Sequence, residues 1–204
     1  MKIRTIALLA VAALLLMGVS CGYTGVAAPG ANSEDGTGSG VLEAARQVVA
    51  AFEAKDGQRL AALVHPGKGV RFSPHAFVDA GSDRVFTGAK VREFWTDRKK
   101  YLWGYADGTG DPIELTPREY CERYVFDRDF SNPSSISIDS DRARGNTMNN
   151  AARVYPDGVR VEYYLEPRPG RGTPELDWAA LRLVFEQVGR NWFLVAVIHD
   201  EWTT

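Results

Sequence analysis

Two long apolar runs near the C-terminus constrain this chain more than any other feature. Asp177 to Val188 and Trp192 to His199 are each strand-forming in composition, and they are joined by Gly189-Arg190. A connection this short, with a glycine in it, closes a tight antiparallel hairpin. Val159 to Leu165 extends the sheet, because Val159, Val161, Tyr163 and Leu165 alternate onto one face. Ser135 to Asp139 alternates more weakly. A sheet of this kind must bury at least one face against other elements.

The upstream half supplies those elements. Leu42, Ala45, Val48, Val49 and Phe52 recur at three- and four-residue spacing from Val41 to Ala54, which predicts an amphipathic helix. Asp56 is placed to cap a second helix carrying Leu60, Leu63 and Val64, ended by Pro66. Val70-Arg71-Phe72 and Arg84-Val85-Phe86 read as short strands, and Thr87 as the cap of a helix with Val91, Phe94 and Trp95 inward. Tyr101 to Ala106 and Pro112 to Leu115 form a hairpin about the turn Asp107-Gly108-Thr109-Gly110. Thr116-Pro117-Arg118-Glu119 is a capping box with proline at the first helical position. Helices first and a meander of strands afterwards predict an α+β fold, with helices packed on one face of a curved antiparallel sheet.

The N-terminus reads as an address. Lys2 and Arg4 precede twelve residues, Ile6 to Met17, with no polar side chain. That is the pattern of a secretory signal, and it is too short for the roughly 20 apolar residues of a spanning helix. Met17-Gly18-Val19-Ser20-Cys21 resembles a bacterial lipoprotein signal, which implies cleavage before Cys21 and lipid attachment to its sulfur. Gly18 stands where such signals usually carry leucine. The other reading is an ordinary secreted protein cut nearby. Gly22 rather than aspartate after the cysteine favours the outer membrane in a Gram-negative cell. Gly22 to Gly40 is rich in Gly, Ala, Ser and Thr, and reads as a flexible tether with an r.m.s. reach of roughly 24 Å. The expected organisation is therefore signal peptide 1–20, lipidated Cys21 and tether 21–40, and one domain over 41–204. Metabolic labelling with a palmitate analogue is expected to be lost in Cys21→Ser; equal labelling of both chains would sink the lipidation.

The full chain of 204 residues carries 24 basic and 26 acidic side chains, and removing residues 1–20 leaves 22 against 26. That mild acidity gives no footing for nucleic acid or a polybasic membrane surface. With Cys21 lipidated, Cys121 alone remains, so no internal disulfide is expected.

The order of elements resembles the nuclear transport factor 2-like fold, a cone with a pocket between sheet and helices. His65-Pro66, Gly69-Val70-Arg71-Phe72-Ser73-Pro74, Trp103-Gly104-Tyr105, Gly145-Asn146-Thr147 with Asn149-Asn150, and Leu181 to Glu186 are similar to blocks of an uncharacterised family of exported bacterial proteins. His199-Asp200 with Trp202-Thr203 extends that similarity to the C-terminus. The resemblance implies the fold and the location, and no activity.

Candidate site residues follow from side-chain chemistry. His199 suits a general base oriented by a carboxylate, although a hydrogen-bonded structural histidine is the plainer reading, because the sequence identifies no second catalytic partner. By strand parity it aligns with Phe193, Val195 and Val197, opposite Trp192, Leu194, Ala196 and Ile198. Trp103, Tyr105 and Asp107 alternate, as an aromatic wall ending in an acid would; a half-buried strand face is the plainer account. Arg71 and Arg182 interrupt apolar strands, where they pair with an acid such as Glu162 or Glu186, or bind a carboxylate in a pocket. Tyr163 is a further hydrogen-bond donor for that pocket. Asp127 and Asp129 flank Arg128 and read as a solvated loop, and Cys121 as a small buried hydrophobe.

His65, His75 and His199 lack zinc-ligand spacing, and Asp107 to Asp111 matches the opening of a calcium loop without its glycine or its closing glutamate. No metal and no cofactor are therefore expected. Residues 41–204 contain no Gly-x-Ser-x-Gly, phosphate-binding loop or His-Glu-x-x-His. The leading expectation is a non-catalytic, membrane-anchored module binding a small molecule or an envelope partner through the pocket. The alternatives are an isomerase-, dehydratase- or cyclase-type enzyme with His199 as base, and a docking or homodimerising module using the sheet face.

Overall fold

The C-terminal hairpin forms and lies inside the sheet. The computed structural model describes residues 34–140, 142, 144–168 and 176–202; the expected signal peptide, Cys21 and most of the tether lie outside them. In chain order the elements are α1 (Glu34–Glu53), α2 (Gly57–Leu63), β1 (Val70–Ser73), β2 (Arg84–Phe86), α3 (Gly88–Val91), β3 (Tyr101–Tyr105) and β4 (Pro112–Leu115). There follow α4 (Pro117–Tyr124), β5 (Ser135–Ile138), α5 (Ala151–Val154), β6 (Val159–Leu165), β7 (Ala179–Val188) and β8 (Asn191–Glu201). No described helix is long and apolar enough to cross a membrane.

The local signals hold where a side chain closes a hydrogen bond to nearby backbone. Asp56 accepts from Arg59 N, Thr87 from Lys90 N, and Thr116 and Glu119 complete both halves of their capping box. Each satisfies amide donors that a helix leaves open at its start. Gly189, at φ 63°, supplies the left-handed backbone of the β7–β8 turn.

The helical segment begins earlier than expected. α1 starts at Glu34, inside the stretch read as tether and ahead of the expected domain start at 41. Glycine here sits against the sheet: a Cβ on Gly40 would stand 3.3 Å from Trp192 Nε1, a tight contact that would ask the indole to give by a few tenths of an ångström. Beyond that point Ala45, Val48, Val49 and Phe52 are buried as the spacing predicts, whereas Leu42 is only partly buried and Val41 takes the inward place beside it.

Six strands form one curved sheet in the order β2-β1-β8-β7-β6-β5, and β3 and β4 form a separate hairpin. The arrangement is a mixed α+β fold, but the sheet is not wholly antiparallel. β1 runs parallel to β8, with Arg71 opposite Ala196 and Ser73 opposite Ile198. The cause lies just upstream: Val64 bridges Leu194 in parallel, and His65 N donates to Leu194 O at 3.0 Å, so the chain leaves α2 already running with β8.

A β-bulge overturns the expected face parity. Val184 pairs with Ala196 and Phe185 with Leu194, leaving Val195 as the extra residue. Leu194 and Val197 therefore pack into the helix-side core, while Val195, Ala196 and Ile198 share the opposite face. β7 and β8 are buried on both sides. On the helix side Phe72, Phe86, Phe94, Trp103 and Tyr120 form a continuous aromatic cluster. The opposite face is covered by Val78, Ala151, Val154 and Tyr155. Asn150 secures that cover by accepting from Val78 N (2.7 Å) and donating to Val78 O (3.0 Å).

Candidate functional site

The six residues expected to line one pocket do not meet. Trp103 is fully buried, stacks on Tyr120 with centroids 3.8 Å apart, and donates from Nε1 to Leu115 O. It belongs to the core. The irregularity in β3 explains why its alternation with Tyr105 misleads: pairing with β4 slips between Leu102 and Tyr105, and Gly104 adopts φ 146°. Tyr105 is thereby turned outward, 49% exposed. Arg71 donates to the carbonyls of Ala80 (3.2 Å) and Asp83 (3.0 Å), so it braces a loop rather than awaiting a ligand.

Arg182 also leaves the pocket list. Its guanidinium is fully buried between Glu162 on β6 (2.6 Å) and Asp200 on β8 (3.5 Å), and Arg144 reaches Glu162 at 2.9 Å while lying over the Tyr164 ring. Glu162 is one of the two acids that the sequence offered as partners, and the pair lies in the interior rather than at the surface. Arg182 Nε and Nη1 are buried without a described partner. Burial pushes the Asp200 carboxyl up to about 6, against the opposing charge of Arg182. A carboxyl with a raised folded pKa binds its proton more tightly when folded. Its stabilising contribution is present below about pH 4 and is lost as pH rises through about 6. Asp200→Asn is expected to remove that part of the decline, read from urea unfolding at half-unit steps between pH 4 and 7; an unchanged slope would show that the carboxyl titrates normally.

His199 sits on the other face of β8, enclosed at 0% exposure, with Leu181 opposite and Tyr124 edge-on. Its Nε2 lies 3.2 Å from Asp127 Oδ1. A carboxylate only accepts, so Nε2 carries the proton in that bond. Asp127, read from sequence as a loop residue, is thus the partner of His199. The two are 72 positions apart, and no local pattern announces them. Asp127, His199 and Glu201 also bring three donor atoms within 4.8 Å of one another, which a divalent ion could use. Two observations disfavour a metal: Arg123 already occupies Glu201 at 2.7 Å, and His199 Nδ1 is buried without the acceptor that an imidazole ligand ordinarily needs. The arrangement is a hydrogen-bonded His199–Asp127 pair beside the Arg123–Glu201 ion pair. Cys121 is buried as expected, and burial pushes its thiol far above the usual range, so it is no nucleophile at neutral pH.

Among the clefts lined by described residues, two include residues that the sequence singled out for binding and that are not engaged in bracing a loop. The first, of about 240 Å³, lies between α1 and the β5–β6 edge, lined by Arg46, Val49, Glu53, Phe130, Ile136 and Tyr163. Of the expected pocket residues, Tyr163 lines this cleft: its ring is buried, its hydroxyl has no partner among the described residues, and burial pushes its pKa up to about 12. The second, of about 330 Å³, lies where β1 and β3 end, and His75, Phe77, Asp79, Asp83, Tyr105 and Asp107 line it. Of these, only Tyr105 and Asp107 were singled out from sequence as binding residues. The loop 79–83 carries a readable signal, since Asp79 accepts from the amides of Gly81 and Ser82 as an Asx turn does.

No protein-family model matches the chain, and no curated protein matches it. Among solved structures, a designed nuclear transport factor 2-like protein aligns with 81% of this chain and 98% of its own length, at 11% identity and a TM-score of 0.32.

Proposed function

We propose that this chain is an exported, lipid-anchored protein of nuclear transport factor 2-like architecture whose domain binds a small, largely apolar ligand without transforming it. The site is the cleft between α1 and the β5–β6 edge, the nearest counterpart here to the pocket of a cone. The observation that carries the reading is the Tyr163 hydroxyl, buried on the cleft wall with no partner among the described residues. Leaving such a group unmade costs about 1–3 kcal/mol, which a ligand acceptor would recover. Val49, Phe130 and Ile136 offer apolar contact, and Arg46 and Glu53 add polar groups. The lipid anchor rests on Met17 to Cys21. The catalytic alternative has less support, because the enclosed His199 borders neither cleft. The docking alternative is left only the edges of a sheet whose central strands are buried on both faces.

The test is a thermal-shift screen of small amphipathic compounds on the whole protein, repeated on Tyr163→Phe and Ala50→Trp. Tyr163→Phe removes one oxygen and is expected to leave the unliganded protein as stable as before, or slightly more so, while weakening a hit by about tenfold. Ala50 also lines the cleft, and Ala50→Trp is expected to abolish the hit by filling it. A hit indifferent to both substitutions would place the ligand elsewhere.

A further inference from the structure

The wall of the cleft between α1 and the β5–β6 edge also selects the chemistry of its occupant, an inference that rests on the binding role proposed for that cleft. We propose that the ligand is a small monocarboxylate, drawn by Arg46 and accepting from the hydroxyls of Ser131 and Tyr163, with its apolar body on Val49, Phe130 and Ile136.

Ser131 supplies a second observation beside Tyr163. Its Oγ, like the Tyr163 hydroxyl, is a buried side-chain oxygen with no partner among the described residues, and both residues line the cleft. The cleft lined by His75 and Tyr105 has no such atom. Ser131 is held through its backbone, whose N–H donates to Asp129 Oδ1 at 3.1 Å, so the hydroxyl is left uncommitted. Burial pushes the Tyr163 phenol up to about 12, and at neutral pH it therefore stays an O–H donor. An unmet hydroxyl in an apolar wall is costly, and two on one wall are set to be met by one acceptor-rich group.

The charges of the wall decide which acceptor that is. Arg46, Val49, Ala50 and Glu53 recur at three- and four-residue spacing and share one face of α1. The Arg46 charge acts on the Tyr163 phenol. Glu53 lies about two turns further along the helix, roughly 10 Å by its rise. A carboxylate is therefore drawn to the Arg46 end, and its body extends toward Glu53, where a second negative group would be repelled. Arg46 can exchange its partner, because its ion pair with Glu43, at 3.6 Å, joins two exposed side chains and is worth little. Bonds from a guanidinium and two hydroxyls are stronger to a carboxylate than to a neutral oxygen. An ammonium would be drawn to Glu53 instead and would leave the phenol unmet. The cleft volume of about 240 Å³ lies below the usual range for drug-sized ligands, which limits the body to one ring or a short chain.

The experiment is an NMR titration of the whole protein with hexanoate and with phenylacetate, beside hexan-1-ol, 2-phenylethanol, hexylamine and the diacid adipate. At least one monoacid is expected to bind about tenfold more tightly than its alcohol. Adipate is expected to bind more weakly than hexanoate, because its second carboxylate meets Glu53. Arg46→Gln, at an exposed position, is expected to bring the acid down to the level of its alcohol. Ser131→Ala and Tyr163→Phe are each expected to weaken acid and alcohol alike, severalfold. No binding by either monoacid, a preference for hexylamine, or adipate bound as tightly as hexanoate would overturn the proposal. Acid and alcohol bound equally, both weakened by Tyr163→Phe and excluded by Ala50→Trp, would overturn the carboxylate and leave the cleft as the binding site. Binding indifferent to Ser131→Ala, Tyr163→Phe and Ala50→Trp would overturn both.

Discussion

Replacing Arg182 with methionine is expected to destabilise the fold by about 3–5 kcal/mol, the usual cost of stranding a buried charge. The guanidinium is wholly enclosed in β7, with Glu162 at 2.6 Å and Asp200 at 3.5 Å across the two neighbouring strands. Methionine fills much of the same volume, so little of the loss would come from a cavity. What it removes is the charge that lets two buried carboxylates stay ionised. Glu162 keeps Arg144 at 2.9 Å, and the loss therefore falls mainly on Asp200. Burial already pushes that carboxyl up to about 6, and without Arg182 it rises further. A proton relieves the stranded charge, so the penalty should be larger at pH 8 than at pH 5. The wild-type pair is not ideal either, since Nε and Nη1 have no partner among the described residues. Arg182→Met combined with Glu162→Gln and Asp200→Asn is therefore expected to recover most of the stability. Urea unfolding at the two pH values reads all of this. A single-variant loss below about 1 kcal/mol, or one independent of pH, would show that water solvates the network.

That outcome bears on how far sequence reasoning reached. Helix starts were legible because Asp56, Thr87 and Thr116 act on backbone three residues away, and the β7–β8 hairpin because its turn lies between two apolar runs. Features that depend on one inserted residue were not. The bulge at Val195 leaves no trace in a run where both faces are apolar, yet it reverses the faces of Leu194 and Val195. Gly104 does the same for Trp103 and Tyr105, turning a plausible aromatic wall into one core ring and one exposed ring. Gly40 misleads in a third way, because a glycine that sits against Trp192 looks, in sequence, like part of a linker. The clefts were legible only through Tyr163, Tyr105 and Asp107. Asp83 gains its character from Ser73, ten residues earlier, and His199 from Asp127, and such pairings exist only after folding.

Trp103→Ala is expected to cost about 3–5 kcal/mol, at the upper end for core truncations. The indole touches four other rings in T-shaped or tilted contact, stacks on Tyr120, and bonds Leu115 O, so alanine removes contacts on every side at once. The surrounding rings come from β1, β2, β3, α4 and the segment after α3, and a collapse that filled the space would have to move several of these together. Trp103→Phe, which keeps a ring but loses the Leu115 bond, is expected to cost less than half as much. Tyr105→Ala, two residues along the same strand but outward-facing, is expected to stay within about 0.5 kcal/mol of wild type. The contrast separates a core role from a surface role for a pair that alternation alone places on one face. Loss of stability is expected at Trp103 and not at Tyr105. If Trp103→Ala unfolds at the wild-type urea midpoint, the aromatic cluster is not what holds the β3–β4 hairpin against the sheet.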